Sequence, residues 1–412
     1  MVTIPFVYFT LLLLFVYHRN KRQFDIACYI ISIFDISAFF SILLVLLDLK
    51  SKDTSWYDIS QTATFWYCFL LTICILPFIK KSNLRMNDIK PLRNSTPLKI
   101  IAWVSFFYFM LNLIMSFGDV LGALQSDLGE IRQDHYDGYG ERLWFYSMPI
   151  GLRQLFLFFN IIFHVPFIMH FLAFYSLAIQ KLPSRFVILF IVGSLTGFLQ
   201  GILAAGRSGP VYWIICFGAC YIFFYRFLTK NNKAQLKRLF FVVIGILISY
   251  VIITTIARFA GDNDGTRDSL ISYAGQSFVN FCFFFDNFAC PFPSLKNIFP
   301  LTYYLLLDFP VRNAGEMQSL LSEMSGYRLG VFYTFIGQIA TSSSNSVAIL
   351  YCILYSLLTY VVLNRIRNSF CSSYVYLMFG SVLYLGLFGH YYADYVPMVC
   401  VLFYALFFYS FR

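Results

Sequence analysis

Charged residues are scarce in this chain. Only 12% of its 412 residues are Asp, Glu, Lys or Arg, whereas 59% are hydrophobic and 21% are aromatic. Soluble globular domains carry about 25% charged residues, and long uncharged apolar runs are typical of membrane spans. The composition therefore excludes a soluble globular domain and predicts a polytopic membrane protein.

Signatures of several enzyme classes are also absent. The sequence contains no Walker phosphate-binding loop, no serine nucleophile elbow and no zinc-spaced group of His or Cys. Its closest approach to a metal motif, Asp262-Asn263-Asp264-Gly265, lacks the downstream bidentate glutamate of a calcium loop and is typical of a turn. We therefore expect neither a metal nor a cofactor.

Eleven apolar segments are each about long enough to cross a bilayer. The first has no basic leader and no small-residue cleavage site, so we expect a retained helix. The sequence predicts an all-α fold with a single transmembrane domain over residues 1–412. The predicted spans are residues 3–17, 24–47, 61–79, 98–118, 155–180, 186–204, 210–228, 239–257, 345–363, 371–389 and 393–411.

The distribution of charge predicts the orientation. The connections near residues 19–22, 80–93, 181–185, 230–238 and 365–367 are basic and fall on one side, whereas most acidic residues fall on the other. Basic loops face the cytoplasm, so the N-terminus is predicted outside and the C-terminus inside. These loops also explain the net charge of +10 without a nucleic-acid partner.

Two predicted outer segments, residues 119–148 and 258–344, are long enough to carry a function. In the second, the aromatic stretch 272–290 contains Gly275 and Asn280, and it favours interfacial or re-entrant helices that roof a cavity. Cys282 and Cys290 in this stretch are compatible with a disulfide or with two free thiols.

Arginine is the candidate anion-binding residue. Arg207, in Gly206-Arg207-Ser208-Gly209-Pro210, lies between two predicted spans with no intervening loop and must lie at or just inside a membrane face. The glycines and proline break the helix and free backbone N–H groups for an anionic ligand. Several converging guanidinium groups would bind a diphosphate. An interfacial hairpin arginine and solvated, acid-balanced charges are the alternatives. The other outer candidates are Arg258, Arg267, Arg312 and Arg328.

His390 is the candidate catalytic base. It lies in the short outer turn Gly389-His390-Tyr391-Tyr392-Ala393-Asp394, where it could take a proton from a sugar hydroxyl while Asp394 orients the ring. A satisfied interfacial histidine is the alternative interpretation. Three other outer residues are competing bases: Glu316, Glu323 and His135.

Several of these segments resemble one family. The Gly206-Arg207-Ser208-Gly209 hairpin, the Ile131-Arg132-x-x-x-Tyr136 pattern, the stretch 330–337 (GVFYTFIG) and the arginine-bearing late outer loop are similar to the Wzy-type O-antigen or oligosaccharide repeat-unit polymerases. The layout of spans and loops resembles that family over most of the chain.

The resemblance implies a bacterial inner-membrane glycosyltransferase with a GT-C-like architecture, an active site facing the periplasm and no metal. Its partners would be undecaprenyl-diphosphate-linked oligosaccharides as donor and acceptor, the lipid bilayer and a chain-length regulator protein. An O-antigen ligase and a polysaccharide flippase remain alternatives. The implied roles are His390 and Arg207 in catalysis, and Arg207, Arg258, Arg267, Arg328, Arg132 and Tyr136 in binding diphosphate or glycan.

Overall fold

The structure is a computed structural model. It describes residues 1–47, 59–82, 89–118, 149–163, 165–203, 208–258, 263–300, 303, 311, 314–329, 333–365, 369–393 and 395–409. These residues form α-helices and short 3-10 turns, with no β-strand among them. The prediction of an all-α fold is therefore confirmed for this part of the chain.

The helices are numbered here in chain order. They are α1 Thr3–Arg19, α2 Ile26–Leu46, α3 Gln61–Lys80, α4 Thr96–Met115, α5 Ile150–Phe163, α6 Pro166–Ala178, α7 Ser184–Gly193, α8 Thr196–Leu203, α9 Ser208–Phe224, α10 Lys230–Arg258, α11 Asn263–Asn287, α12 Ala314–Ser325, α13 Thr334–Ser342, α14 Asn345–Arg365, α15 Phe370–Tyr384 and α16 Tyr395–Tyr409. The chain divides into two compact units. Unit 1 comprises Met1–Asp88, Arg267–Asn368 and Val375–Met398, and unit 2 comprises Ile89–Thr266, Ser369–Tyr374 and Val399–Arg412.

Length and apolar composition qualify five helices in the described residues as membrane spans. A sixth candidate is the bent pair formed by α5 and α6. Shorter apolar helices occupy much of the remaining predicted span positions. These observations support an α-helical membrane protein. The five helical segments are Ile26–Leu46, Gln61–Lys80, Thr96–Met115, Gly209–Phe227 and Asn345–Arg365.

The segment 155–180, predicted as one span, is a pair of helices that meet at 65°. Pro166 begins α6 and has no backbone N–H, so the carbonyl oxygen of Ile162, four residues earlier, loses its usual helical donor. The buried Cys400 thiol donates to that oxygen at an Sγ–O distance of 3.1 Å. The bend in unit 2 is therefore stabilised by a side chain from α16.

In unit 1, α2 and α11 approach each other closely at Gly275. A Cβ atom on Gly275 would lie 2.5 Å from the Phe40 carbonyl oxygen. The Ser37 hydroxyl donates to the Ala274 carbonyl at 2.8 Å, and the Ser41 hydroxyl donates to the Gly275 carbonyl at 2.6 Å. Small residues allow such close contacts between membrane helices.

Residues 272–290 are predicted to form interfacial or re-entrant helices. The structure has one helix of 25 residues that runs to Asn287, and its position relative to the membrane stays a prediction. Gly275 permits contact with α2 in place of breaking the helix, and Asn280 is buried. Cys282 and Cys290 are free thiols, so they do not form a disulfide.

Candidate functional site around His390

Several predicted site residues lie outside the described part of the chain. Arg207, Arg132 and Tyr136 belong to this group, and so do the competing base His135 and the proposed orienting residue Asp394. Their roles stay predictions.

Two other predicted diphosphate ligands have described backbones. Arg258 is the last residue of α10 in unit 2, and Arg267 lies near the start of α11 in unit 1. Arg328 is exposed and follows α12, next to the buried Leu329. The predicted convergence of these arginines on a diphosphate therefore stays a prediction.

His390 is almost fully buried, with 5% of its surface exposed. It lies in the connection between α15 and α16, immediately before a 3-10 turn over Tyr391–Ala393. Its Nε2 atom is 3.0 Å from the Tyr351 hydroxyl oxygen, whereas Nδ1 is buried and has no hydrogen-bond partner among the described residues. When Nε2 donates to the tyrosine oxygen, Nδ1 presents its lone pair to an incoming donor.

The backbone of His390 is fixed from another element. Its N–H donates to Oε1 of Gln338 on α13 at 2.6 Å. A Cβ atom on the preceding Gly389 would lie 2.7 Å from the same Oε1 atom. A side chain at position 389 would therefore displace the amide oxygen from its present contact with the His390 N–H.

In the described part of the chain, two aromatic rings pack in T-shaped geometry against the His390 imidazole. The Phe299 ring lies 5.8 Å from it at an interplanar angle of 77°, and the Tyr351 ring lies 5.6 Å away at 83°. Burial disfavours the charged imidazolium and lowers the pKa of His390 from 6.5 to about 4. His390 is therefore neutral near pH 7, so one of its ring nitrogens carries a free lone pair. We call His390, Gln338, Tyr351 and Phe299 the His390 cluster.

Helix α13, which carries Gln338, is itself buried throughout. It starts at Thr334, whose φ of +66° is unusual for a β-branched residue, and the next residue, Phe335, donates its N–H to the Gly386 carbonyl at 2.8 Å. Two hydrogen bonds thus join α13 to the connection that carries His390. The stretch 330–337, noted for its family resemblance, leads directly into this contact.

A second polar group supports the start of α13. The Tyr333 hydroxyl accepts hydrogen bonds from Gln318 Nε2 at 3.2 Å and from the Thr341 hydroxyl at 3.4 Å. Burial raises the pKa of Tyr333, so this phenol stays protonated. The ring packs against Phe284 at 5.2 Å.

The carboxylates proposed as competing bases lie on another surface. Glu316 and Glu323 on α12 are exposed, whereas Met317 and Leu321 of the same helix are buried. Gln318 on the same helix instead donates a hydrogen bond to the Tyr333 hydroxyl, directly before α13. Among the described candidates, His390 is therefore the one in a buried polar environment.

Three members of the His390 cluster were not predicted as site residues. Gln338 and Tyr351 are separated from His390 by 52 and 39 residues, and Phe299 lies in another segment. The signal in the sequence was a lone glutamine directly after GVFYTFIG in an apolar stretch.

Comparison of the chain with family models, curated proteins and solved structures finds no match.

Proposed function

We propose that this chain is a membrane glycosyltransferase that polymerises undecaprenyl-diphosphate-linked oligosaccharide repeat units at the periplasmic face of a bacterial inner membrane. The observation that carries the proposal is the hydrogen bond between Gln338 and His390. Gln338 directly follows the stretch 330–337 that resembles the polymerase family, and Phe335 within that stretch also donates to the Gly386 carbonyl, so both bonds lead to the connection that carries the candidate base. In this proposal the chain has eleven spans, a GT-C-like architecture and its N-terminus outside.

The Nδ1 atom of His390, which has no hydrogen-bond partner among the described residues, is the feature that assigns this residue to the acceptor half of the reaction. A neutral imidazole with an unoccupied Nδ1 accepts the proton of an acceptor sugar hydroxyl as that oxygen attacks the anomeric carbon of the donor. Tyr351, bound to Nε2, fixes the orientation of the ring. The buried site disfavours the charged imidazolium formed in this step. His390 therefore releases the proton before the next cycle.

The donor half of the reaction is assigned to arginine. Undecaprenyl diphosphate leaves as an anion, and guanidinium groups stabilise its developing charge without a metal. Arg207 is the first candidate for this role, followed by Arg258, Arg267 and Arg328, while Arg132 and Tyr136 bind diphosphate or glycan.

The test is a gel of surface polysaccharide from a strain that lacks the gene and is complemented with variants. We expect wild type and His18→Gln to restore the ladder, because His18 is exposed at the end of α1. His390→Gln and Arg207→Lys should leave a core that carries a single repeat, at normal protein level. The lysine retains the charge of Arg207 but loses its bidentate fork.

Other patterns on the same gel would contradict the proposal. Loss of every repeat from the core, with long lipid-linked chains accumulating, indicates an O-antigen ligase. An unchanged ladder in the deletion strain excludes both activities for that polysaccharide. A full ladder with His390→Gln removes His390 from the catalytic site.

A further inference from the structure

The imidazole of His390 is closed off from solvent in this structure. Tyr351 occupies Nε2, and Nδ1 is buried without a hydrogen-bond partner among the described residues. A buried polar atom that has lost its water and gained no partner is unfavourable. A ligand hydroxyl that donates to Nδ1 would remove that penalty, but it must first reach the atom.

Most of the enclosure is built from helices. Gln338 belongs to the buried α13, and Tyr351 belongs to α14, where its ring stacks on Tyr355 at a centroid distance of 6.5 Å. Movement of either side chain would break its hydrogen bond to His390, at 2.6 Å for Gln338 and 3.0 Å for Tyr351. These hydrogen bonds hold two sides of the His390 cluster in place.

Phe299 forms a different kind of wall. It lies outside the helices, just after the 3-10 turn Leu295–Asn297, and its side chain is only partly buried. The backbone next to it is fixed, because Asn297 and Ile298 are buried and Asn297 Nδ2 donates to the Phe292 carbonyl at 2.9 Å. Rotation of the Phe299 side chain would break no hydrogen bond to His390 and would not require the backbone beside it to move.

We propose that rotation of the Phe299 side chain opens the His390 cluster and admits the hydroxyl of a sugar ring to Nδ1. This inference rests on the proposed function for the identity of the ligand, an acceptor glycan. Phe299 acts as a positioning residue that controls access and does not take part in proton transfer. An exposed phenyl face next to the open cluster also suits stacking against a sugar ring.

The test measures access to His390 directly, with diethyl pyrocarbonate as the probe and peptide mass spectrometry as the readout in purified full-length protein. The reagent modifies neutral, accessible imidazole. Of the five histidines, exposed His18 is the fast reference and buried His170 is the slow reference. We expect slow modification of His390 in wild type and an increase of about tenfold in Phe299→Ala, because reaction no longer depends on a minor open state.

Matched variants separate access from a general loosening of the outer segment. Phe288→Ala removes a ring that packs on Phe284 and Tyr327, so His390 should react as slowly as in wild type. Phe299→Trp retains the cover and should also react slowly. If His170 becomes reactive in Phe299→Ala, that variant has lost its fold, and Phe299→Val replaces it in the comparison.

Two results would overturn the inference: modification of wild-type His390 as fast as His18, or no increase in any folded Phe299 variant with a smaller side chain. The polysaccharide gel keeps this outcome apart from the proposed function. A faster reaction in Phe299→Ala combined with an unchanged ladder in the deletion strain would support the opening and contradict the polymerase. No faster reaction in any folded Phe299 variant, combined with loss of the ladder in His390→Gln, would support the polymerase and contradict the opening.

Discussion

At the scale of single residues, His390 is positioned by contacts from three separate segments. Gln338 binds its backbone N–H, Tyr351 binds its Nε2, and Phe299 packs against its ring. Gly389 makes the first contact sterically possible. The ring nitrogen that remains unpaired, Nδ1, is the atom with capacity for a ligand.

The buried imidazole predicts a pH dependence of stability. The folded protein holds the pKa of His390 near 4, whereas the unfolded chain takes up the proton at about 6.5. Stability contributed by the neutral ring is therefore present above pH 6.5 and is lost as the pH falls toward 4. Between pH 7 and pH 5 we expect a loss of about 2 kcal/mol in the free energy of unfolding from this residue.

The measurement compares apparent unfolding temperatures of wild type and His390→Gln in detergent at pH 7, 6 and 5. Glutamine does not titrate but retains a polar group that can reach Tyr351. Because all other titrating groups are shared, the difference between the two proteins isolates His390. The wild type should lose stability more steeply on acidification, and parallel curves would be inconsistent with a buried neutral histidine.

The sequence predicted His390 as the candidate base but not the residues around it. A histidine in a short turn between apolar segments is visible locally, whereas its contacts with Gln338 and Tyr351 depend on how α13 and α14 pack. Asp394, expected to orient the ring, lies outside the described residues. The structure assigns a contact with the ring nitrogen to a phenol from α14, which no local pattern indicated.

At the scale of elements, the close contact of α2 with α11 depends on a glycine, which has no side chain. Gly275 allows the backbones to approach, and Ser37 and Ser41 donate hydroxyl hydrogen bonds across the contact. A typical intramolecular hydrogen bond contributes about 0.5–1.5 kcal/mol net. The two hydrogen bonds and the close approach both depend on the absence of a side chain at Gly275.

We expect Gly275→Ala to lower the stability of the protein. The added methyl group would lie 2.5 Å from the Phe40 carbonyl oxygen and 2.7 Å from the Ser41 nitrogen, both backbone atoms. Separating the helices to accommodate it should reduce the free energy of unfolding by about 1–3 kcal/mol. Thermal unfolding in detergent measures this change.

Gly245→Ala is the matched control. Gly245 also lies in a long helix, α10, but a Cβ atom there would meet nothing within 4 Å. Alanine has the higher helix propensity, so this variant should be unchanged or slightly more stable. Equal behaviour of the two alanine variants would show that the close contact does not limit stability.

Helix positions followed from the sequence better than helix shapes did. The lengths of the apolar segments predicted the span positions, and the structure has a helix or a pair of helices at each of these positions. The bend at Pro166 was missed because a proline in a membrane helix is tolerated wherever neighbouring groups satisfy the freed carbonyl. That neighbouring group is the Cys400 thiol, 238 positions later in the chain.

At the scale of the whole molecule, the distribution of charge predicts an odd number of spans, with the N-terminus outside and the C-terminus inside. Fusion of green fluorescent protein to the C-terminus should therefore fluoresce in the cytoplasm. Alkaline phosphatase inserted in residues 119–148 should be active, because this enzyme matures only outside the cytoplasm. The same phosphatase inserted near residue 231 should be inactive.

A fluorescent C-terminus with inactive phosphatase in residues 119–148 would move that segment to the cytoplasm and remove it from a periplasmic site. If the C-terminal green fluorescent protein fusion does not fluoresce and alkaline phosphatase fused to the C-terminus is active, the number of spans is even. Either result would require a different assignment for the outer arginines, whereas the contacts within the His390 cluster would be unaffected.

The order in which the units are completed during synthesis follows from the thiol contact at the Pro166 bend. Unit 2 contains residues from the middle of the chain and also Val399–Arg412, so the ribosome makes all of unit 1, which ends at Met398, before unit 2 has its last segment. Until α16 arrives, Cys400 is not available to the Ile162 carbonyl. During synthesis the Ile162 carbonyl oxygen at the bend therefore lacks this donor, and a nascent chain that stalls before residue 399 should hold the bend without it.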